Sequence, residues 1–339
     1  MKMIRQAVIR SSEAADTIPY LMELGLVDRS AKISKDGDRR LVPITPGRED
    51  EIVRMGYETT EGPAYTMERR KPQERILDEL SDLPDGISGS LPMKWEYVGD
   101  IVILKIDESC IPHKERIGET YARILGAKTV CADINGITGE LRRPSTKVIF
   151  GNDTEDVRLE NGILYEFDVS RIMFASGNID ERHRMKELDC KGETVVDMFA
   201  GIGYFTLPIA KFTGARKVFA CEKNPVSYGY LLKNIQRNDV SEKVIPILGD
   251  NRNIQGRGFA DRVIMGYVQT TSAFLPKALE MVKQGGMIHY HDTFYVNEHK
   301  KRIKEIFESA AGGFEIERIR EIKSFAPSVS HYVADVRVL

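Results

Sequence analysis

The glycine turn within residues 193–212, ETVVDMFAGIGYFTLPIAKF, determines how this chain folds. An apolar run that ends at Asp197 predicts a strand, and the run that follows Tyr204 predicts a helix. Gly201 and Gly203 allow the backbone to turn tightly between them and to approach a ligand where the strand ends. The stretch therefore predicts the first strand, turn and helix of a Rossmann-like sheet.

The same alternation continues towards the end of the chain. Further predicted strands are KVFACE, KVIPIL, RVIMGYV and GGMIHYH, and the predicted helices are PVSYGYLLKNIQRN, FLPKALEMVKQ and KRIKEIFESA. Strands that alternate with helices of about 10–15 residues are typical of a parallel sheet that is covered on both faces. We therefore predict an α/β fold class, with a Rossmann-like domain over residues 171–339.

Two smaller domains are predicted before this one. Residues 1–62 contain a predicted helix in SSEAADTIPYLMELGLVD and two strands around a Lys-Asp-Gly-Asp turn in AKISKDGDRRLVPIT. Residues 66–170 begin with the predicted helix PQERILDEL and continue in short strands, which indicates an α+β domain. Pro63 and Pro72 bracket the predicted linker between these two domains.

Composition excludes several classes of protein. The chain has 339 residues, of which 42% are hydrophobic and 29% charged, as in a folded globular protein. No uncharged stretch reaches the roughly 18 residues that a membrane-spanning helix needs, and the N-terminus predicts no secretory signal. The four cysteines form no CxxC pair, so we expect reduced thiols in a cytoplasmic protein, not disulfides, a zinc ribbon or an iron–sulfur site.

The net charge of −2 means that any binding of nucleic acid would depend on local basic patches. One candidate patch in the first domain comprises Lys32, Lys35, Arg39 and Arg40. A second, in the middle domain, comprises Lys114, Arg116, Arg123, Lys128, Arg142, Arg143 and Lys147. Solvated surface charge and phosphate contacts both fit these patches.

Acidic residues follow successive strands of the predicted sheet, and they point to a cofactor. Asp197 ends the first strand and would repel a phosphate group, but it suits the ammonium and sulfonium groups of S-adenosylmethionine. Glu222 ends the second strand, where a carboxylate can accept both ribose hydroxyls. Asp250 and Asn251 follow the third strand, where side chains usually reach the adenine amino group. Together with the glycine turn they predict a site for S-adenosylmethionine.

A small-residue turn and an arginine-bearing helix, SGNIDERHR, lie at the entry to the Rossmann-like domain. This combination suits the carboxylate at the methionine end of the cofactor. Arg182 and Arg184 are the candidates, because a guanidinium group binds a carboxylate through two hydrogen bonds.

After the fourth strand, enzymes that methylate a base nitrogen often carry an Asn/Asp-Pro-Pro-aromatic loop. This chain has Met265, Gly266 and Tyr267 there, with no carboxamide or carboxylate. We therefore do not expect that loop chemistry to hold the target atom. Tyr267 fits base stacking, positioning of the methionine arm or simple packing.

Two histidines, His289 and His291, precede Asp292 at the end of another strand, and alternation places both on one face. A metal site would need a third ligand, which the sequence does not show, so we predict no metal. A structural pair and a substrate-facing proton acceptor both remain open.

The phrases DMFAGIGYFTLPIAKF, CEKNP, MGYVQTTSAFLPKAL, GGMIHYHDTF and IKSFAPSVSHYVADVRV resemble the archaeal wybutosine-pathway aminocarboxypropyltransferases. That family is closely related to the tRNA guanosine-37 N1-methyltransferases. The resemblance covers roughly residues 130–339 and includes GITGELRRP and SGNIDERHR. MGYV in place of Asn-Pro-Pro, with IHYH and FAPSVSHYV, favours the transferases over their methyltransferase relatives.

The resemblance implies that S-adenosylmethionine donates its 3-amino-3-carboxypropyl group to C7 of 4-demethylwyosine at position 37 of tRNA(Phe). It implies that Arg182, Glu222, Asp250 and Asn251 bind the cofactor. Ala175 stands where a small hydroxylic residue is expected, so that contact would come from the backbone or from Ser176. The implied partner is tRNA(Phe), with no membrane and no obligate protein partner.

No catalytic residue is assigned at this point, since His289, His291, Tyr267 or water could accept the proton that C7 loses. Two other functions remain open: a tRNA guanosine-37 N1-methyltransferase, and a non-catalytic RNA-binding protein with a vestigial Rossmann-like domain. Residues 1–62 also resemble the N-terminal domain of the sister methyltransferases, which implies a grip on the tRNA outer corner. Residues 66–170 are expected to supply tRNA and cofactor-lid contacts.

Overall fold

The computed structural model describes residues 3–64, 70–84, 86–138 and 143–339. The chain forms two compact units, Met1–Glu74 and Arg75–Leu339. The boundary predicted at residue 170 lies within the second unit, and the division into three domains stays a prediction. Part of the stretch GITGELRRP, residues 139–142, lies outside the described residues. Over the described ranges, no helix is long and apolar enough to cross a membrane.

In its described residues, the first unit forms a four-stranded antiparallel sheet with two helices and the strand order β2-β3-β1-β4. Its elements are β1 (Met3–Arg10), α1 (Ala14–Glu23), β2 (Ser34–Asp36), β3 (Arg39–Pro43), α2 (Glu49–Arg54) and β4 (Glu58–Pro63). The predicted helix and hairpin are α1 and β2–β3. Strand β1 was not predicted, because the buried Gln6 next to the buried Ala7 breaks the alternation that marks a strand.

The second unit begins with a mixed sheet in the order β5-β6-β7-β8, in which β6 and β7 are parallel and the other pairs antiparallel, and an antiparallel pair, β9–β10. The elements are α3 (Pro72–Glu79), β5 (Trp95–Val98), β6 (Ile101–Lys105), α4 (Lys114–Leu125), β7 (Thr129–Thr138), β8 (Arg143–Phe150), β9 (Glu155–Glu160) and β10 (Ile163–Asp168). Helix α4 was not predicted, although Ile117, Tyr121 and Ile124 are buried at helical spacing and Gly126 ends it at φ +70°.

The larger sheet of this unit has, in the described part of the chain, seven strands in the order β13-β12-β11-β14-β15-β17-β16. Its elements are α5 (Ile179–Glu187), β11 (Thr194–Asp197), α6 (Thr206–Phe212), β12 (Lys217–Glu222), α7 (Pro225–Arg237), β13 (Val244–Leu248), β14 (Ala260–Met265), α8 (Leu275–Met281), β15 (Val282–Tyr295), α9 (His299–Ala310), β16 (Phe314–Ala326) and β17 (Val329–Val338). The first five strands in that order are parallel, and β17 pairs antiparallel with β15 and β16. The predicted α/β fold class is confirmed.

Two properties of this sheet position the functional side chains. Because β11, β12, β13 and β14 are parallel, their carboxyl ends meet at one edge, and the strand order reverses between β11 and β14. Ligands of open α/β sheets bind in the crevice at such a reversal. The antiparallel register of β15 and β17 places His289 opposite Asp335 and Thr293 opposite His331, so that these side chains share a face with His291.

Candidate active site

A cavity of about 240 Å³ opens at the carboxyl ends of β11, β12, β13 and β14. A crevice of this kind, lined by apolar side chains with a few polar groups, is the usual form of a small-molecule site. Five of the residues predicted from sequence to bind the cofactor line it: Arg182, Gly201, Glu222, Asp250 and Asn251. They come from four separate segments, which the parallel sheet brings together.

The glycine turn and the end of β12 form one wall. Gly201 has φ +58°, and its N–H donates to Glu222 Oε2 at 2.7 Å, while the N–H of Asn224 donates to Glu222 Oε1 at 2.7 Å. A Cβ on residue 201 would lie 2.6 Å from the ring of Tyr204, so glycine is required there. Burial raises the pKa of Glu222, but the backbone N–H donors oppose that effect. Each carboxylate oxygen keeps a second lone pair, so Glu222 can accept two hydroxyl protons.

The segment after β13 also lines the cavity. Arg252 binds both oxygens of Asp250, through Nε at 2.9 Å and Nη2 at 2.6 Å, and holds the pKa of Asp250 down at about 2. Asp250 is therefore a permanent acceptor. Asn251 Nδ2 donates to the carbonyl of Met198 at 2.9 Å, and its Oδ1 is buried without a hydrogen-bond partner among the described residues.

Arg182 lines the cavity and is almost fully buried. Its Nε donates to Glu160 Oε1 at 2.5 Å, its Nη1 donates to the carbonyl of Ala175 at 2.9 Å, and its guanidinium stacks 4.6 Å from the ring centroid of Phe174. Its Nη2 has no hydrogen-bond partner in the described ranges. A buried, unpartnered guanidinium N–H is costly unless an anion binds it, so the cavity offers a carboxylate site at Arg182.

Three predicted contacts lie elsewhere. Ser176 Oγ donates to Glu96 Oε1 at 2.7 Å. Asp197 is fully buried behind the turn, where its carboxylate accepts from Thr206 Oγ1 at 2.7 Å and from the N–H of Phe199 at 3.2 Å. Burial raises the pKa of Asp197 to about 6, against those hydrogen bonds. Gly203, at φ +104°, packs its backbone against Leu207. Contacts of Ser176, Asp197 and Gly203 with a cofactor stay predictions.

The loop after β14 covers the cavity with Gly266, Tyr267 and Val268. Tyr267 stacks on Phe199 with ring centroids 5.0 Å apart, and both rings line the cavity. The buried Asp292 anchors this loop, because its Oδ1 accepts from the N–H of Gln269 at 2.6 Å. The loop thus presents a flat aromatic surface instead of a carboxamide.

His289 lies outside the cavity in a buried ion network. Its Nε2 is 2.7 Å from Arg262 Nη1 and its Nδ1 is 2.5 Å from Asp335 Oδ1. Since arginine has no acceptor, Nε2 must accept and Nδ1 must carry the proton that it donates to Asp335. Burial lowers the pKa of His289, which is consistent with a neutral ring. His289 is therefore occupied at both nitrogens and is removed from the candidate proton acceptors.

His291 does line the cavity, and it lies beside His331, which sequence reasoning did not single out. His291 Nδ1 is 3.1 Å from His331 Nε2, and the ring of His291 stacks on Phe205 at 5.4 Å. The sequence signal that could have identified His331 is its position in the motif FAPSVSHYV. Its contact with His291, however, arises only from the register of β15 and β17. Lys323 and Phe325, on the adjoining β16, also line the cavity.

The arrangement fits S-adenosylmethionine. Glu222 offers acceptors for the two ribose hydroxyls, Asp250 and Asn251 Oδ1 offer acceptors for an amino group, and Arg182 Nη2 offers a donor for a carboxylate. The described residues contain no group of three or more His, Cys, Asp or Glu side chains that could hold a metal ion.

Comparison with known proteins agrees with this site. Residues 156–319 match the TRM5/TYW2 methyltransferase domain, and residues 74–154 match the TYW2 N-terminal domain. The tRNA(Phe) (4-demethylwyosine(37)-C(7)) aminocarboxypropyltransferase of Pyrococcus horikoshii is 42% identical over 269 residues, which are 78% of this chain and 96% of that protein.

Two solved structures are also similar. The structure of P. horikoshii TYW2 in complex with MeSAdo has a TM-score of 0.70 and 39% identity, and the match covers 78% of this chain and 98% of that one. The complex of aTrm5 and tRNALeu has a TM-score of 0.72 and 26% identity, over 98% of this chain and 99% of that one. As the resemblance in its motifs predicted, the chain belongs to the TRM5/TYW2 family.

Proposed function

We propose that this protein transfers the 3-amino-3-carboxypropyl group of S-adenosylmethionine to C7 of 4-demethylwyosine at position 37 of tRNA(Phe). The observation that carries the proposal is the cavity itself, whose lining includes both a buried, unpartnered N–H of Arg182 and the Glu222 carboxylate. The relative that is 42% identical has this activity in its name, and the P. horikoshii TYW2 structure holds MeSAdo, the by-product expected of such a transfer.

The chemistry supplied by bound S-adenosylmethionine is an electrophilic carbon next to a positively charged sulfur. The chain's own residues decide which of the three carbons on that sulfur meets the base. Arg182 fixes the carboxylate end and Glu222 the ribose end, so the methionine arm is held at both sides of the reacting carbon. Positioning of this kind selects the reaction, because the reacting atoms must lie about 3–3.5 Å apart and in line.

A double-label experiment tests the proposed function. We expect tRNA that carries 4-demethylwyosine at position 37 to gain label from S-adenosylmethionine labelled in the methionine carboxylate, with methylthioadenosine as by-product. Label from the methyl group, with S-adenosylhomocysteine as by-product, would contradict the proposal and favour guanosine-37 N1-methylation or a related methyl transfer. No label from either batch would favour the non-catalytic RNA-binding alternative.

We propose that the first unit supplies part of the tRNA-binding surface. Cross-strand register places Arg10 directly opposite Arg39, and Lys35 opposite Arg40. Like charges directly opposite each other destabilise a sheet unless an anion lies between them. Arg10 and Arg39 are exposed, which suits contact with a phosphate backbone.

Three cations of the candidate patch in the middle domain are already in ion pairs. Arg116 pairs with Asp82, Arg123 with Glu79, and Lys128 with both Asp153 and Asp156. Their charge is therefore partly neutralised within the chain. This difference favours the patch in the first unit as a phosphate-binding surface.

The variant Arg10→Ala/Arg39→Ala should weaken tRNA binding without changing the affinity for S-adenosylmethionine. If each arginine neutralises one phosphate, the slope of log affinity against log salt should become shallower by roughly 1.5. Filter binding at several salt concentrations measures both quantities. Arg29→Ala/Arg54→Ala removes the same charge from exposed sites of the same unit and is the matched control. Equal losses in the two variants would mean that the patch makes no specific contact.

A further inference from the structure

The side chains that fit the cofactor make up only part of the cavity lining. Glu222 and Asp250 follow β12 and β13, at one end of the strand order, whereas Lys323 and Phe325 enter the lining from β16, the last strand at the other end. Four strands of the described sheet lie between β12 and β16. The β16 side chains therefore belong to a part of the lining that is separate from the acceptors for the ribose and the adenine.

Phe325 is an aromatic side chain that stays partly in water at the opening of this cavity. It is 47% exposed, and of the large hydrophobic side chains that are exposed in the described part of the chain, it alone lines the cavity. No other aromatic ring and no cation packs on its ring among the described residues. A single exposed apolar side chain is ordinary on a protein surface. At the opening of a ligand cavity, however, an unpaired ring offers a stacking surface to a planar ligand.

An exposed arginine borders the same cavity. Arg171 lines it, and the guanidinium of Arg171 makes no hydrogen bond or ion pair with any described residue. Arg171 begins the segment 171–178, which adjoins β16, because a Cβ on Gly177 would lie 2.9 Å from Cδ of Lys323. The other arginine of the lining, Arg182, is buried. An anion at the opening of the cavity can therefore bind Arg171 without breaking an existing ion pair.

Resting on the proposed function, we propose that Phe325 and Arg171 form the subsite for nucleotide 37 of the tRNA. The base stacks on the ring of Phe325, and Arg171 binds a phosphate next to it. A base must leave the stack of its loop before it can enter a cavity, which costs free energy. Stacking on an aromatic side chain offsets part of that cost, and 4-demethylwyosine, a planar tricyclic base, offers a large face to the ring.

Two tRNAs that differ only at position 37 test the contact with Phe325. One carries 4-demethylwyosine there and the other carries an abasic site. We expect Phe325→Ala to weaken the binding of the first about five- to a hundredfold, the usual contribution of one stacked base, and to leave the binding of the abasic tRNA unchanged. Phe325→Trp keeps an aromatic face and should bind both tRNAs as the wild type does. Phe212→Ala removes a 39%-exposed phenylalanine outside the cavity lining and is the matched control.

Replacement of Arg171 tests the phosphate contact with the same two tRNAs. Arg171→Ala should weaken the binding of both, since an abasic nucleotide keeps its phosphates. The slope of log affinity against log salt should become shallower by roughly 0.7, the value for one phosphate of a single strand. Arg318→Ala removes an exposed arginine of β16 that does not line the cavity, and this control should keep the wild-type slope.

The proposal has clear contrary outcomes. Equal losses for both tRNAs in Phe325→Ala would overturn the stacking contact, because the loss would not depend on the base. Weaker binding of methylthioadenosine in Phe325→Ala would also overturn it and make Phe325 part of the cofactor site. Weaker binding of S-adenosylmethionine, with unchanged binding of tRNA, in Arg171→Ala would overturn the phosphate contact and make Arg171 a ligand of the carboxylate.

The proposed function and this subsite can fail separately. If the wild type transfers carboxylate label but Phe325→Ala and Arg171→Ala bind both tRNAs as the wild type does, the subsite is refuted and the function stands. If the wild type transfers methyl label, the proposed function fails, whatever the two variants do.

Discussion

Replacing Arg182 with lysine should weaken the binding of S-adenosylmethionine roughly ten- to a hundredfold while leaving the binding of methylthioadenosine unchanged. Only the first ligand has a carboxylate, and one or two charge-assisted hydrogen bonds to it contribute about 1.5–3 kcal/mol each. Lysine keeps a cation near Glu160 but lacks the planar fork that binds Glu160, the carbonyl of Ala175 and a ligand together. Isothermal titration with the two ligands measures the difference.

The choice of lysine protects the fold. Removing the charge altogether would leave the buried Glu160 with Arg158 as its remaining cation, and breaking a buried ion pair costs about 3–5 kcal/mol. Arg158→Lys is the matched control, since Arg158 also binds Glu160 and stacks on Phe174 but does not line the cavity. Equal losses for both ligands in Arg182→Lys would show that Arg182 only supports the fold.

The site residues that directly follow a recognisable strand could be predicted from the sequence. The turn at Gly201, the acid at the end of β12 and the pair after β13 each follow a recognisable apolar strand. Because parallel strands end at one edge, their convergence needed no knowledge of the detailed packing. The family resemblance then supplied the role of Arg182, whose unpartnered N–H gives that role a physical basis.

The direction of individual side chains could not be predicted in this way. Ser176 donates to Glu96, which is 80 residues away, and Asp197 turns inward to Thr206 rather than into the cavity. Likewise, His291 and His331 meet only because β15 and β17 pair in one particular register. Register is decided by packing across the whole sheet, so no short motif contains it.

Replacing Glu222 with glutamine should weaken the binding of both S-adenosylmethionine and methylthioadenosine roughly a hundredfold, the cost of losing two charge-assisted hydrogen bonds of about 1.5 kcal/mol each. The isosteric change is severe here because backbone N–H groups of Gly201 and Asn224 already point at the two carboxylate oxygens. In either orientation, a carboxamide presents its NH₂ group to one of these two N–H donors. The turn must therefore move to relieve that contact, in addition to the loss of the negative charge at residue 222.

Titration of both ligands into this variant distinguishes the ribose contact from the carboxylate contact at Arg182, since both ligands contain the ribose but only S-adenosylmethionine contains the carboxylate. Glu166→Gln is the matched control, because Glu166 is a half-buried acceptor for Lys233 in the same unit but is not part of the cavity wall. Methylthioadenosine binding at wild-type strength in Glu222→Gln would exclude Glu222 as the ribose ligand. If Glu222→Gln loses affinity for both ligands and Arg182→Lys loses affinity for S-adenosylmethionine alone, Glu222 binds the ribose and Arg182 binds the carboxylate.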